Sequence, residues 1–394
     1  MKKVFKACLF VTLIAFSSVV YAQDDISRLL NEFVVNMTEE AVSETVHEEK
    51  HEEIHTKEGA HHSAEETEEA SGFDPIHHVL DAHDIHLWGD GHDAVSVPLP
   101  IILWTDNGLV TFMSSAFHHD DAGHHIFEKN GMSFVKHHEK IYQLNAGEKV
   151  LSIDHETHTA TNAVLPLDLS ITKVIAAVFI VAIIMLLVFT AAAKKYKTAK
   201  PESPKGIAKW MEPLVLFVRD FAKDSIGDRY MKFMPYLLTV FFFIWFGNLL
   251  GLIPFIGGIN MTGNIAITLT LALMTLIIQL INSKWAFWKH MLMPPGVPVA
   301  LYPILVPIEL MGILIKPAAL TIRLFANITA GHIIVLSIIG IIFINHNVAW
   351  AGLSVPLALF ISVLEITLVA FLQAYIFTML SSMFIGAAVD DGHH

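Results

Sequence analysis

Arg323 stands midway along an apolar run that begins near Tyr302 and ends near Ile344, inside Leu320-Thr321-Ile322-Arg323-Leu324-Phe325-Ala326-Asn327-Ile328-Thr329-Ala330-Gly331-His332. A cation at membrane depth costs roughly 2.5–3.5 kcal/mol to insert, so such a residue normally faces protein or water and has a role there. A guanidinium keeps its charge, because its pKa lies above about 12. Beside a carboxylate it lowers that group's pKa and drives its proton off. Arg323 is therefore a candidate for making a passing acid give up its ion.

At about 100° per residue, Glu309, Lys316 and Arg323 fall within about 40° of one another, and Asn327 lies about 40° from the arginine. His332, nine residues beyond Arg323, points to the opposite face and offers an imidazole that titrates near neutral pH. Glu365 and Gln373, on the last apolar stretch, are natural partners across the interface, since unpaired polar groups in lipid are costly. Plainer roles stand beside these. Glu309 and Lys316 can neutralise each other, His332 and Glu365 can share a packing hydrogen bond, and Asn248 and Asn327 can serve as amide links between helices.

Lipid-spanning helices must hold these groups. Of 394 residues 54% are hydrophobic and 16% charged, yet the net charge is −13. Between Gln23 and Leu165 there are 28 acids and 7 bases, a balance of −21, which leaves +8 for the rest. Two regions in two solvents are implied, and the acidity argues against nucleic acid as a partner. Ile171 to Ala193 reads as the first span, with Lys194, Lys195, Lys197 and Lys200 marking its cytoplasmic end. Pro201 to Met231 carries Trp210, Leu214, Phe217, Val218, Phe221 and Ile226 at amphipathic spacing, as for a helix on the cytoplasmic surface. Phe233 to Ile256 returns outward and Asn264 to Ile281 goes back in, with Lys284 and Lys289 on the inner side. The run Tyr302 to Ile344 would measure roughly 60 Å as a helix, about twice the hydrocarbon thickness, and Leu353 to Ile385 is nearly as overlong. The fold class expected is an all-α multi-pass membrane protein of five spanning helices, the last two long and tilted, with an extracytoplasmic N-terminal module containing some β structure.

The N-terminal part divides further. Lys2, Lys3 and Lys6 precede an apolar core from Ala7 to Phe16 and the small-residue site Val20-Tyr21-Ala22, so residues 1–22 read as a signal peptide, with an uncleaved anchor as the alternative. The sole cysteine, Cys8, lies there, so cleavage leaves no thiol chemistry. Residues 23–72 are acidic and His-rich and read as disordered. His47, His51 and His55 would share a helical face, the geometry of a metal site, although a solvated buffering tail is the plainer reading. Residues 73–168 read as a small module: a short helix over Asp74–His83, then short runs at Val95–Trp104, Gly108–Phe117, Ser133–Val135, Lys140–Leu144 and Glu148–Asp154, separated by Asn-Gly and Ala-Gly turn signals. His118, His119, Asp120, Asp121, His124 and His125 could bind zinc or copper, or be a loop cluster without metal. No metal and no cofactor is assigned. Residues 169–394 form the membrane domain.

Five blocks in order carry a resemblance. They are Phe217-Val218-Arg219-Asp220-Phe221-Ala222-Lys223-Asp224-Ser225-Ile226-Gly227, Phe246-Gly247-Asn248-Leu249-Leu250-Gly251-Leu252-Ile253-Pro254, Pro307-Ile308-Glu309, the arginine stretch, and Leu372-Gln373-Ala374-Tyr375-Ile376-Phe377. Over most of Lys209 to Ile385 the chain resembles subunit a of the F-type ATP synthase. The resemblance implies that Arg323 is the essential arginine that meets the ring carboxylate of subunit c and separates two aqueous half-channels. It implies that Gln373 packs near it, that Asn327 is the amide one turn on, and that Glu309 is the acid upstream. His332 and Glu365 look like the swapped pair of mitochondrial members. The c-ring and the peripheral-stalk subunit b are the implied partners, in a bacterial inner membrane with the module periplasmic and the C-terminus cytoplasmic.

Three departures stand out. Glu365 is eight residues before Gln373, where seven is expected, a difference of about 100° unless the helix is bulged. Ala326 stands where glycine is usual, and the leader and His/Glu-rich module have no counterpart in the family core. The rival readings are a self-contained proton-coupled transporter or channel, for which no internal repeat is visible, and a metal-binding surface protein whose membrane part is only an anchor, for which one span would suffice.

Overall fold

The computed structural model describes residues 81–88, 95–148, 150–153, 160–198, 206–251, 261–293, 296–344 and 351–390. All of them fall in one compact unit, Asp74–His394. The leader, the acidic tail with His47, His51 and His55, and most of the expected helix over Asp74–His83 lie outside these residues. Asp81 to His83 are described and are not helical.

The module folds as three small sheets. Strands β1 (Asp84–Trp88) and β2 (Val95–Pro98) pair with each other; β3 (Pro100–Thr105) lies between β4 (Gly108–Met113) and β9 (Leu167–Asp168); and β5 (Ala122–Lys129), β6 (Met132–His137), β7 (Lys140–Leu144) and β8 (Ala163–Val164) follow in order. Every pairing is antiparallel. Alternation decides which face is buried. Ile101 and Leu103 of β3 join Val110, Phe117, Met132, Phe134 and Ile141 in one core, whereas Trp104 and Leu109, directly opposite each other, stay exposed.

Three segments differ from expectation. The His-rich segment read as a loop cluster contains β5, and the described residues of Glu148–Asp154 form no strand, only an isolated bridge between Ile153 and Ala160. The Gly108–Phe117 run is strand only to Met113, then a 3-10 turn over Ser114–Phe117.

Among the described residues five helical stretches are long and apolar enough to cross a membrane. They contain α1 (Lys173–Thr198); α2 (Ile207–Ile226) running through a 3-10 turn into α3 (Tyr230–Gly251); α4 (Ile265–Asn282); α6 (Tyr302–Ile344); and α7 (Ala351–Leu364) continuing through a π turn (Glu365–Val369) into α8 (Ala370–Val389). A short helix, α5 (Trp285–Leu292), follows α4 and was not foreseen. In α2 the buried residues are Ala208, Val218 and Ala222, while Trp210 stands largely exposed. The main core gathers Val218 and Ala222, a run of α3 from Phe233 to Ile244, Leu320 and Leu324 of α6, and Ala374 and Phe377 of α8. At Gly386 an added Cβ would stand 2.1 Å from the Ser225 carbonyl oxygen, so α8 and the end of α2 approach as closely as backbones permit.

The module is packed on the bundle. Ile85 and Leu99 share a cluster with Val174, Ala177 and Val181 of α1, Leu250 of α3 and Met261. Leu169 N–H and Ile171 N–H donate to the carbonyls of Ile102 and Pro100, extending the β3 ladder to the root of α1. Asp81 Oδ1 accepts from Val174 N–H at 3.2 Å, satisfying one of the unpaired amides at the start of that helix.

Candidate functional site

Helix α6 is buried along a narrow seam, at Ile313, Pro317, Leu320, Thr321, Leu324 and Ile328, spaced three and four apart. That seam packs on α4 and the main core. The 43 residues are continuous helix despite Pro307 and Pro317, each of which removes one backbone donor. Thr321 Oγ1 donates to the Pro317 carbonyl at 3.0 Å.

Arg323 lies about 110° round from the centre of the seam and is exposed. Glu309, Lys316 and Asn327 are exposed as well, so the polar stripe lies on the open face of the bundle. Beside it Ile308, Ile315 and Ile322 are also largely exposed, the last at 60%. Among the described residues Arg323 makes no ion pair, and neither do Glu309 and Lys316 with each other. Lys316 instead places its Nζ 5.7 Å from the centroid of the Phe384 ring on α8. The mutual neutralisation considered for Glu309 and Lys316 is therefore absent.

Gln373 and Asn248 are placed differently. Gln373 is 4% exposed on α8, a helix that packs against α2, α3 and α4 and also touches α6. Asn248 is 3% exposed in α3 and accepts a hydrogen bond from the Thr262 hydroxyl; among the described residues its Nδ2 has no partner. Helical period gave no sign of Thr262 as its neighbour, since the two lie fourteen residues apart and not on one helix.

Glu365 opens the π turn that ends at Val369. A π turn absorbs one extra residue, so a spacing of eight works as seven and positions 365 and 373 come within about 20° about the axis. The apparent departure in spacing is thus taken up by the backbone. The side chains of His332 and Glu365 are outside the described ones.

A second set of charged groups sits at the junction of module and α1. His83, buried, makes a 2.9 Å contact from Nε2 to Asp168 Oδ2 and lies 3.5 Å from Glu139 Oε2, which also accepts from the His83 backbone N–H. Lys136 Nζ donates to Glu139 Oε1 at 2.8 Å and lies 3.5 Å from Asp121 Oδ1. Burial pushes the imidazole down, but the bonds to Asp168 and Glu139 outweigh it and raise His83 to about 9. Burial likewise opposes charge on Glu139, yet His83 and Lys136 hold it down at about 2. This network was invisible in sequence, because its members come from four distant segments.

The histidines of the module are spread out. His118 and His119 have positive φ, 50° and 63°, after the 3-10 turn, while His124 and His125 lie on β5. His118 meets His125 edge to face at 4.7 Å, and His119 Nδ1 lies 3.4 Å from Asp84 Oδ2. Asp120 accepts backbone N–H bonds from Ala122 and His125. Among the described residues no three His, Cys, Asp or Glu side chains are set to hold a metal.

Comparison with known proteins agrees with this division. The family described as ATP synthase A chain matches residues 175–386, and a domain of unknown function (DUF8433) matches residues 76–169. A protein named ATP synthase subunit a from Chlorobium phaeobacteroides is 49% identical over 235 residues, 58% of this chain and 67% of the relative. One named ATP synthase subunit a 2 from Prosthecochloris aestuarii is 43% identical over 288 residues, 70% of this chain and 82% of the relative. A Myxococcus xanthus ATP synthase subunit a is 43% identical over 235 residues, 58% and 76% respectively. With five candidate spans and a family match over more than half its length, the chain belongs to the ATP synthase subunit a family, a multi-pass membrane component of the F0 sector that takes part in proton transport and ATP synthesis.

Proposed function

We propose that the open face of α6 is the seat of a rotor of c subunits and that Arg323 divides two aqueous half-channels beside it. Protons enter from the outer side past Asn248, His332 and Glu365 and neutralise a carboxylate on the ring. The ring then turns through lipid with the acid protonated. When that acid reaches Arg323 it ionises, because the fixed cation lowers its pKa, and its proton leaves on the other side. Leakage is opposed because a proton, itself a cation, meets the guanidinium between the channels. Each charge carries only about 2.3 kcal/mol per 100 mV, so rotation must gather several for one ATP. Gln373 and Asn327 hold the helices around the arginine, and Glu309 lies along the same stripe.

The observation that supports this most is a guanidinium exposed midway along a 43-residue apolar helix with no ion pair among the described residues. Such a group needs an acid from another chain. The lysines at the end of α1, Lys194 and Lys195, favour a cytoplasmic position for that end and hence an outer, periplasmic module and a cytoplasmic C-terminus. The amphipathic α2 is then a cytoplasmic surface helix, a suitable neighbour for subunit b. Residues 1–22 as signal peptide, 23–72 as acidic tail, 73–168 as module and 169–394 as membrane domain complete the assignment. The test is Arg323→Ala in membrane vesicles: ATP synthesis driven by a proton gradient should vanish while the complex still assembles. Unaltered synthesis would refute the assignment.

A further inference from the structure

The corner where α4 passes into α5 presents an exposed surface of mixed character. Ile281, in the last turn of spanning helix α4, is 75% exposed, and Trp285, which opens α5 four residues later, is 77% exposed. Lys289 lies one turn on from Trp285, and Leu292 a further turn, and both are exposed, so the three share a face of α5. Two neighbouring positions are committed to protein: Met291 packs with Leu276 and Ile313, and Trp288 Nε1 donates to Ser283 Oγ at 2.9 Å. Basic residues predominate on this corner. From Ile281 to Ala300 there is no acidic residue, while Lys284, Lys289 and His290 are present. Lys232 reaches the same corner through its 2.6 Å bond to Asn282, and Asp390 and Arg229 both act on the charge of Lys284.

Position decides what this surface meets. Only Ser283 and Lys284 separate the end of a spanning helix from the start of α5, so α5 lies at the boundary between hydrocarbon and water whichever way the chain is inserted. An exposed indole beside lysines at that depth suits lipid, with the ring among acyl ends and the ammonium among headgroups. We propose that the α4–α5 corner is a docking site for anionic phospholipid, with Trp285 as its anchor and Lys289 as its headgroup contact. The inference is independent of the proton path.

Two measurements on the full chain in nanodiscs test it. With Cys8→Ser as background, a spin label on Trp285→Cys should collide more with oxygen than with a water-soluble nickel chelate. In native mass spectrometry, the chain should retain phosphatidylglycerol in preference to phosphatidylcholine. Lys289→Gln should lower that preference about five-fold, Lys289→Arg should keep it, and Lys194→Gln, at the end of α1, should leave it unchanged. A label in water, a label shielded from both agents, or a preference indifferent to Lys289 would each overturn the proposal.

Discussion

In the β-module His83 lies between Asp168 and Glu139, and Lys136 between Glu139 and Asp121, so each of these buried charges has its opposite within the same chain. In α6 the guanidinium of Arg323 has no such partner among the described residues and stands on an open apolar face. The first arrangement joins pieces of chain. It ties the segment before β1 and the β6–β7 turn to the strand that enters α1. The second leaves interaction free energy unspent inside the subunit, available to a visiting acid. A cation's partners, more than its burial, separate the structural charges of this protein from the one expected to do chemistry.

The largest effect is expected where a partnered charge is broken. His83→Ala leaves Asp168 without its cation and Glu139 with Lys136 alone, a loss of about 3–5 kcal/mol. It should appear as faster amide exchange in β9 and the β6–β7 turn, and unchanged exchange there would remove the network from the account of stability.

Titration sharpens the same point by about 3 kcal/mol. His83 has a raised folded pKa, so its contribution is full below the unfolded value of 6.5 and is lost as pH rises through about 9. Glu139 has a lowered one, so its contribution is present above 4.5 and is lost as pH falls through about 2. Protection of β9, corrected for intrinsic exchange, should therefore be greatest between these windows and decline on the alkaline side first. A flat profile from pH 6 to 10 would contradict the geometry.

The smallest effect comes from giving Arg323 a partner of its own. Asn327→Asp places a carboxylate one turn away on the same face, and an intrachain pair should weaken the hold on the ring acid by about one pKa unit, about tenfold in ATP synthesis. A fully active variant would mean that the arginine does not act through an unshared charge.

Much of this contrast was legible in sequence and part of it was not. The stripe of Glu309, Lys316, Arg323 and Asn327 follows from helical period alone, and the helix is regular enough to keep it. The spans were legible because lipid imposes length and apolarity together. Strand β5 was missed because Ala122–Lys129 carries His, Glu and Lys and gains its apolar support from β6 and the 3-10 turn, a tertiary effect. The π turn leaves no compositional signal, since it changes only which carbonyl each amide meets. Gln373 is buried on α8, and helical period alone did not fix which neighbouring helix it meets.

The central claim is tested most directly by a density map of the intact membrane sector. The account predicts the Arg323 guanidinium facing a rotor carboxylate across the open side of α6, within about 4 Å when the acid is ionised. A guanidinium lying against lipid tails or in bulk water, with no rotor acid at its height, would contradict it.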